Sequence, residues 1–573
     1  MNIILIRPPF PKENMALSAQ PLGIAYLASF LREKINNLNI KLLDAHIEDL
    51  SQTDILRYIS DFKPDLVGIS YLTVQADFSF SLSAQIKKLF PKVIIIHGGV
   101  HVTCSLDETM DYADYSVVGE GEVTLFQLIK AIREEENCEA INGICFRKGS
   151  EVIKTPPRDF ISDINTLPFP AWDLLPMEKY RRHSIHVKKG EAIGIMASRG
   201  CPFNCSFCAS PMFWQQKVRF RSPKNIVSEI EEIISHYGIV NFHFYDDNLL
   251  LNSEFVINLC EEILKQDLYI SWACLGRISL IKRNPQILKL MRQAGCVAIE
   301  LGIESFDDAI LEKIGKKEKT GDIPEVFKLI KENGISPLML LMTFNAGETI
   351  SGWYLQAKGL RQLEPQASIF LGQFATPYPG TDFDNNCSKL GVKLVKRWQD
   401  YSTSNINFIP FSLLRDIPIN TNRYFGPEYL LRIVLSSLQH RGLWNSNSIS
   451  KKIENALIWA NLTLSLYQRC CGELSIEDIA KKMASEYNID FNLSLKASAF
   501  ISVLLAQLGL IKSEGSNAPV SPYKSIFSKF GLFSKFGIIL FSFLLFSFSV
   551  IFKNILRRNQ RNISILIAEA FGA

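Results

Sequence analysis

Ile193-Gly-Ile-Met-Ala-Ser198 leads without a break into Arg199-Gly-Cys201-Pro-Phe-Asn-Cys205-Ser-Phe-Cys208. The first part reads as a short core strand, the second as a loop at its carboxyl end. Three thiolates spaced four and three residues apart can wrap one face of a cubane [4Fe–4S] cluster and leave the fourth iron without a protein ligand. An open metal position marks a catalytic site rather than a closed structural one. Zinc fits poorly, because a structural zinc wants four ligands and no Cys or His follows Cys208 within twenty residues. The remaining nine of the twelve cysteines are scattered or, at Cys470-Cys471, adjacent. They read as small buried hydrophobes of a cytosolic chain, not as a disulfide framework.

Outward from this loop, strand-like runs recur at Asn241–Tyr245, Ile270–Cys274, Val297–Leu301, Pro337–Thr343 and Ser368–Phe374. Helical spacing separates them at Ile226–His236, Phe255–Gln266, Pro285–Gln293 and Pro324–Asn333. Six β/α units predict a barrel or most of one over 186–395, with its active site at the carboxyl ends of the strands. Towards the N-terminus, a proline-rich connector (151–185) precedes this series. Before it, residues 1–150 alternate five strands (Asn2–Ile6, Ile40–Asp44, Leu66–Ser70, Val93–His97, Tyr115–Val118) with four helices (Leu22–Ile35, Thr53–Phe62, Ala76–Phe90, Glu122–Glu136). That alternation predicts a parallel, doubly wound sheet that binds its ligand at the strands' carboxyl edge. The 573 residues, 47% hydrophobic and 21% charged, describe a multidomain globular protein. A net charge of +4 spread over that length argues against a nucleic-acid partner. Met1 runs directly into a core strand rather than a signal peptide, so folding is expected in the cytoplasm.

The cysteine triple, with aromatic Phe207 before its last member, resembles the hallmark of the radical S-adenosylmethionine (SAM) superfamily. The resemblance implies that the open iron binds SAM and that one electron cleaves it to a 5′-deoxyadenosyl radical. It implies a reductant partner such as flavodoxin or ferredoxin, and contacts to SAM from Phe207, from Asp246 and Asp247 after the second strand, and from Glu300 and Glu304 on the fourth. The plain alternative for these acids is capping of the following helices. Thr376-Pro-Tyr-Pro-Gly-Thr381 closes the sixth unit as in many relatives. Phe344-Asn-Ala-Gly-Glu348 departs from the Gly-Leu-Pro-Gly-Glu common after the fifth strand, so no role is carried to Phe344 or Asn345.

The first domain resembles the cobalamin-binding domain that precedes the radical domain in one class of these enzymes. Four stretches carry this: Gln20–Leu27, Ser70-Tyr-Leu72, Gly98-Gly99-Val-His101-Val-Thr103 and Val118-Gly119-Glu120-Gly121-Glu122. Glycines at strand ends let backbone approach a bulky ligand. The resemblance assigns Ser70, Gly98, Gly99, His101, Thr103, Gly119, Glu120 and Gly121 to cobalamin. Asp44-Ala-His46 follows the second strand rather than the first, and Asp49 stands where an axial-histidine loop needs glycine. Cobalamin without a histidine ligand is therefore expected, with His46 at the surface. The expected fold is α/β: a Rossmann-like cobalamin domain, a (β/α)6 partial TIM barrel, then a mainly helical region over 396–520. Within that region, Gly472–Lys512 has a helix–turn–helix flavour and reads as packing on the barrel or as a peptide-gripping module.

The tail, 521–573, contains an uncharged run, Phe536–Phe552, flanked by Lys524, Lys529, Lys535, Lys553, Arg557, Arg558 and Arg561. It reads as an anchor on the cytoplasmic membrane face or a short spanning segment, with a buried core helix as the plain alternative. The expected activity is methylation of an unactivated carbon through methylcobalamin. A radical cyclase or oxidative rearrangement enzyme with the same cofactors, as in relatives acting on tetrapyrroles, and a cobalamin or redox sensor are the rival readings. The substrate class stays open between small molecule, lipid and peptide.

Overall fold

The computed structural model describes residues 1–11, 19–180, 192–343 and 368–390, with a few positions between and beyond these. The chain divides into two compact units. One comprises 1–348 with 365–412, the other 349–364 with 413–573. The second lies almost wholly outside the described residues, as do the expected helical region, the helix–turn–helix stretch and the tail. Among the described residues no helix is long and apolar enough to cross a membrane.

The first sheet contains β1 (Asn2–Arg7), β2 (Asn39–Asp44), β3 (Leu66–Ser70), β4 (Ile94–Gly98), β5 (Tyr115–Val117), β6 (Ile144–Lys148) and β7 (Glu151–Lys154). Their order is β2-β1-β3-β4-β5-β6-β7. The first five strands are parallel, and the order reverses between β1 and β3, the crevice where such sheets take ligands. Ile3, Ile4, Leu5 and Ile6 are all buried, as expected of a strand covered on both faces. The helix Gln52–Phe62 shows the local coding. Ser51 and Asp54 form a reciprocal capping box, Ile55 and Ile59 face the core one turn apart, and Lys63 ends the helix in the left-handed region.

One expectation is corrected. The sheet is mixed, because β6 and β7 form an antiparallel hairpin on its edge. Gly149, at φ +63, makes the turn, so a domain ending at 150 would cut the hairpin in two. Glu151-Val-Ile-Lys154 is short, charged at both ends and without alternation, so it reads as loop until a partner is known.

The second sheet is built from β8 (Ala192–Ile195), β11 (Asn241–Phe244), β12 (Ser271–Gly276), β13 (Cys296–Glu304), β14 (Ser336–Thr343) and β15 (Ser368–Phe374). All are parallel and adjacent in chain order, an open sheet with β8 and β15 at its edges and consistent with a partial barrel. Between β8 and β11 a small antiparallel ladder pairs β9 (Ser198–Arg199) with β10 (Arg219–Phe220). Helix Pro223–Tyr237 then starts on Ser222, whose side chain accepts from the Asn225 amide, and stops at Gly238 (φ +67).

The open edge of β8 is covered from the first domain. Gln20 Nε2 donates to the Ala192 carbonyl at 3.3 Å, and the Gly194 amide donates to Gln20 Oε1 at 3.0 Å. One buried side-chain amide thus stands in for a neighbouring strand. The connector packs on the same domain through Arg32–Asp173, a two-point ion pair at 2.7 and 2.9 Å, and through Tyr180, which donates to Asp44 at 2.6 Å.

Candidate active site

The ladder between β9 and β10 closes the base of the cysteine loop, with Arg199 opposite Arg219. Gly200, at φ +99, starts the loop; a Cβ there would lie 2.0 Å from the Lys217 carbonyl oxygen. Cys205 is buried, and Cys201 and Cys208 are half-buried. The loop is pinned from outside by backbone bonds: Ser206 N to Ile314 O at 2.9 Å, and Phe383 N to Ser206 O at 2.8 Å. Arg277 stacks on Phe203 at 3.7 Å, reaches Cys205 Sγ at 3.8 Å and is held by Glu318 at 2.8 Å.

Among the described residues no three His, Cys, Asp or Glu side chains converge on a single ion position. A cubane does not require that, because each cysteine ligates a different iron. Burial pushes the Cys208 thiol up to about 12 and raises Cys201, and the neighbouring Cys205 sulfur adds to both shifts. Such thiols ionise against a strong local cation, as coordinated iron provides. The donor set and the glycine-backed loop therefore fit an iron–sulfur cluster.

The acids assigned to SAM fall in different surroundings. Asp246 is buried and accepts from the Ala197 amide (3.1 Å) and the Ser198 hydroxyl, bracing the segment between β8 and the loop. Burial, outweighing these hydrogen bonds, raises its carboxyl to about 6. Asp247 accepts from Ser210 at 2.8 Å, beside Cys208. Glu300 lies 3.2 Å from His243 across the sheet, and Glu304, at φ +63, pairs with Lys316 at 2.8 Å. Phe207 lines a cavity of about 520 Å³ with Ser206, Lys313, Asn345, Ala375 and Phe383. Asn345 lies in the stretch to which the sequence carried no role, and Lys313 was not singled out.

At the carboxyl edge of the first sheet, Gly99 has φ +98, and a Cβ there would sit 2.9 Å from both the amide nitrogen and carbonyl oxygen of Tyr71. Thr103 Oγ1 donates to the Gly99 carbonyl at 3.1 Å and accepts from the Gly119 amide at 3.0 Å. These bonds hold Gly99, Thr103 and Gly119 together, and strand register sets Ser70 opposite Gly98 beside them. A Cβ on Gly121 would meet Leu27 at 3.0 Å. His101 is buried, with Nδ1 3.2 Å from Thr73 Oγ1 and, among the described residues, no hydrogen-bond partner for its Nε2. Burial lowers the ring to about 4, so it stays neutral. His46 differs from expectation: it is half-buried, its ring edge-on to Phe10 at 4.9 Å.

Glu120 makes contacts that its sequence motif did not suggest. Its oxygens lie 2.7 Å from Arg199 and 2.7 Å from Arg219, and it accepts from the Ile161 amide. Glu122 takes the other Arg199 nitrogen at 2.7 Å. Burial works to raise the Glu120 carboxyl, but the two guanidinium groups hold it below the usual range. Arg199 and Arg219 carry no motif signal that could have marked them.

Residues 195–353 match the Radical SAM superfamily, and residues 13–129 match the B12 binding domain. An uncharacterized methyltransferase of Pyrococcus horikoshii is 32% identical over 410 residues, covering 70% of this chain and 86% of that protein. The anaerobic magnesium-protoporphyrin IX monomethyl ester cyclase of Rubrivivax gelatinosus is 29% identical over 398 residues, covering 67% and 69%. Among solved structures, the cobalamin-dependent S-adenosylmethionine radical enzyme OxsB, with aqua-cobalamin and S-adenosylmethionine bound, superposes at TM-score 0.65. That match has 15% identity and covers 95% of this chain and 83% of OxsB, a likeness of fold. With its glycine-edged first sheet and its cysteine loop after the first strand of the second, the chain belongs to the radical SAM superfamily, in the class that carries a B12-binding domain ahead of the radical domain.

Proposed function

We propose that this chain is a cobalamin-dependent radical SAM methyltransferase acting on an unactivated carbon. One observation carries the reading. Phe10 and Val74 from the loops after β1 and β3, Phe207 from the cysteine loop, Met342 on β14 and Ala375 just past β15 belong to a single apolar cluster. The carboxyl edges of the two sheets thus share one apolar boundary, which suits transfer between two cofactors.

When bound, the cluster with SAM supplies a carbon-centred radical and cobalamin supplies the methyl group. Cys201, Cys205 and Cys208 would hold the cluster. Ser70, Gly98, Gly99, Thr103 and Gly119 would hold cobalamin, and Phe207, Asp247, Glu300 and Glu304 are candidates to orient SAM. Asp246 positions the loop from beneath. The apolar cluster excludes water, which protects a reactive radical from side reactions.

A cyclase or oxidative rearrangement is the second reading. The similarity to the Rubrivivax cyclase favours it. Anaerobic reconstitution followed by product mass separates the two, since only methylation adds one methylene and releases S-adenosylhomocysteine beside 5′-deoxyadenosine. Cys205→Ala should abolish 5′-deoxyadenosine formation in a folded chain; normal cleavage by that variant would end both readings. We further propose flavodoxin or ferredoxin as electron donor, and residues 524–561, the apolar run with its basic flanks, as a hold on the cytoplasmic membrane face. Truncation after Val520 should release the protein from anionic vesicles with SAM cleavage intact. A full-length chain that ignores such vesicles would refute the tail's role.

A further inference from the structure

The ion pairs around Glu120 join the two halves of the site. Glu120 and Glu122 follow β5, at the edge of the first sheet, and grip both strands of the β9–β10 ladder through Arg199 and Arg219. Arg199 is 6% exposed, Glu120 8% and Glu122 4%, so the charges face one another and not water. Arg199 also lies 5.3 Å over the ring of Tyr26, on the first domain's opening helix. Buried ion pairs are poor stabilisers beside apolar packing of the same volume, and their best-attested use is to fix one register. The register fixed here is that of the cysteine loop, since Arg199 precedes Gly200 and Cys201 directly.

The network continues on its other side. Glu120 follows Gly119, whose amide is held by Thr103, and Thr103 in turn holds the Gly99 carbonyl. A chain of hydrogen bonds and ion pairs therefore runs from the glycines of the first sheet to the base of the cysteine loop. We infer that Glu120 and Glu122 are positioning residues that set the cysteine loop from the first domain, so that cobalamin bound at the Gly99 and Gly119 loops tightens the hold on the cluster. The network is contiguous and its charged members are buried, the kind of polar chain through which two sites can be coupled.

This inference rests on the cofactors proposed above. The test uses full-length, anaerobically reconstituted protein with and without hydroxocobalamin, and reads the rate at which an iron chelator strips the cluster, together with the g-values of the reduced cluster. Cobalamin should slow stripping by roughly 5-fold or more, the size of an ordinary coupling between sites. Glu120→Gln and Glu122→Gln should bring that ratio close to one and erase any cobalamin-dependent change in g-values, while both cofactors still bind. Glu229→Gln, which breaks the buried Arg221–Glu229 pair within the second domain, should keep the wild-type ratio and so controls for general loosening. If Glu120→Gln fails to fold, Glu122→Gln decides alone. Variants that retain the wild-type ratio, or a wild type that binds both cofactors without any protection, would overturn the inference. A wild type that takes up no cluster or no cobalamin would instead overturn the functional reading, and this inference with it.

Discussion

Replacing Gly200 by alanine puts the local geometry of the cysteine loop to a direct test. The residue has φ +99, and the added methyl would lie 2.0 Å from the Lys217 carbonyl oxygen and 3.3 Å from Trp214 Cβ. A carbon and a carbonyl oxygen in contact need more than 3 Å, so one of the two backbones must move by about 1 Å. The left-handed conformation costs an alanine about 1–2 kcal/mol, and overpacking against fixed backbone about 1–3 kcal/mol more. Lys217 is two residues from Arg219, so the movement falls on the ladder that closes the loop. Displacement of that size is felt strongly where thiols must meet a rigid cubane. Gly238→Ala supplies the comparison: φ is +67, but no atom lies within 4 Å of the new methyl, so the conformational cost acts alone. Iron and acid-labile sulfide per chain after anaerobic reconstitution should fall well below stoichiometry in Gly200→Ala and stay full in Gly238→Ala. A Gly200→Ala protein with full iron and the unfolding midpoint of Gly238→Ala would refute the reasoning.

Three further expectations follow from the same geometry. Gly99→Val adds a branched side chain where a Cβ already meets the Tyr71 backbone at 2.9 Å; cobalamin should be lost on gel filtration while iron content holds, and retained cobalamin would count against the glycine's role. Asp246, raised to about 6 by burial, binds its proton more readily in the folded chain than in the unfolded one. Its contribution to stability is therefore greatest below about pH 4 and is lost as pH rises through about 6, a swing of order 3 kcal/mol. Asp246→Asn can still accept from Ala197 and bond Ser198, and should flatten that dependence, measured as unfolding midpoints at about pH 5 and about pH 7.5; an unchanged slope would show that Asp246 does not carry it. Finally, His46→Ala should leave the cobalt spectra of the bound cofactor unaltered, and a histidine nitrogen on cobalt in paramagnetic resonance would contradict this.

What the sequence determined by itself is local. The continuous apolar run of β1, the Ser51–Asp54 cap and the cysteine spacing are each settled within a few residues, by periodicity, by hydrogen-bond reach and by ligand geometry. The strand-end glycines at 99 and 119 were legible in the first domain's motifs, and both adopt positive φ, the region where a side chain is penalised. The six parallel strands followed because each β/α unit repeats the same apolar pattern. The β6–β7 hairpin did not, since a half-charged edge strand has no pattern of its own until β5 is beside it. Tertiary structure alone decided which polar groups meet. Glu120 and Arg199 stand 79 residues apart, and Gln20 and Gly194 stand 174 apart. Nothing in the Gly119-Glu-Gly-Glu122 stretch separates a carboxylate that faces a ligand from one that grips an arginine, because the residue type suits both. The choice depends on which surfaces the two sheets bury against each other, since Coulomb attraction and hydrogen bonding act on distance in space and take no account of distance along the chain.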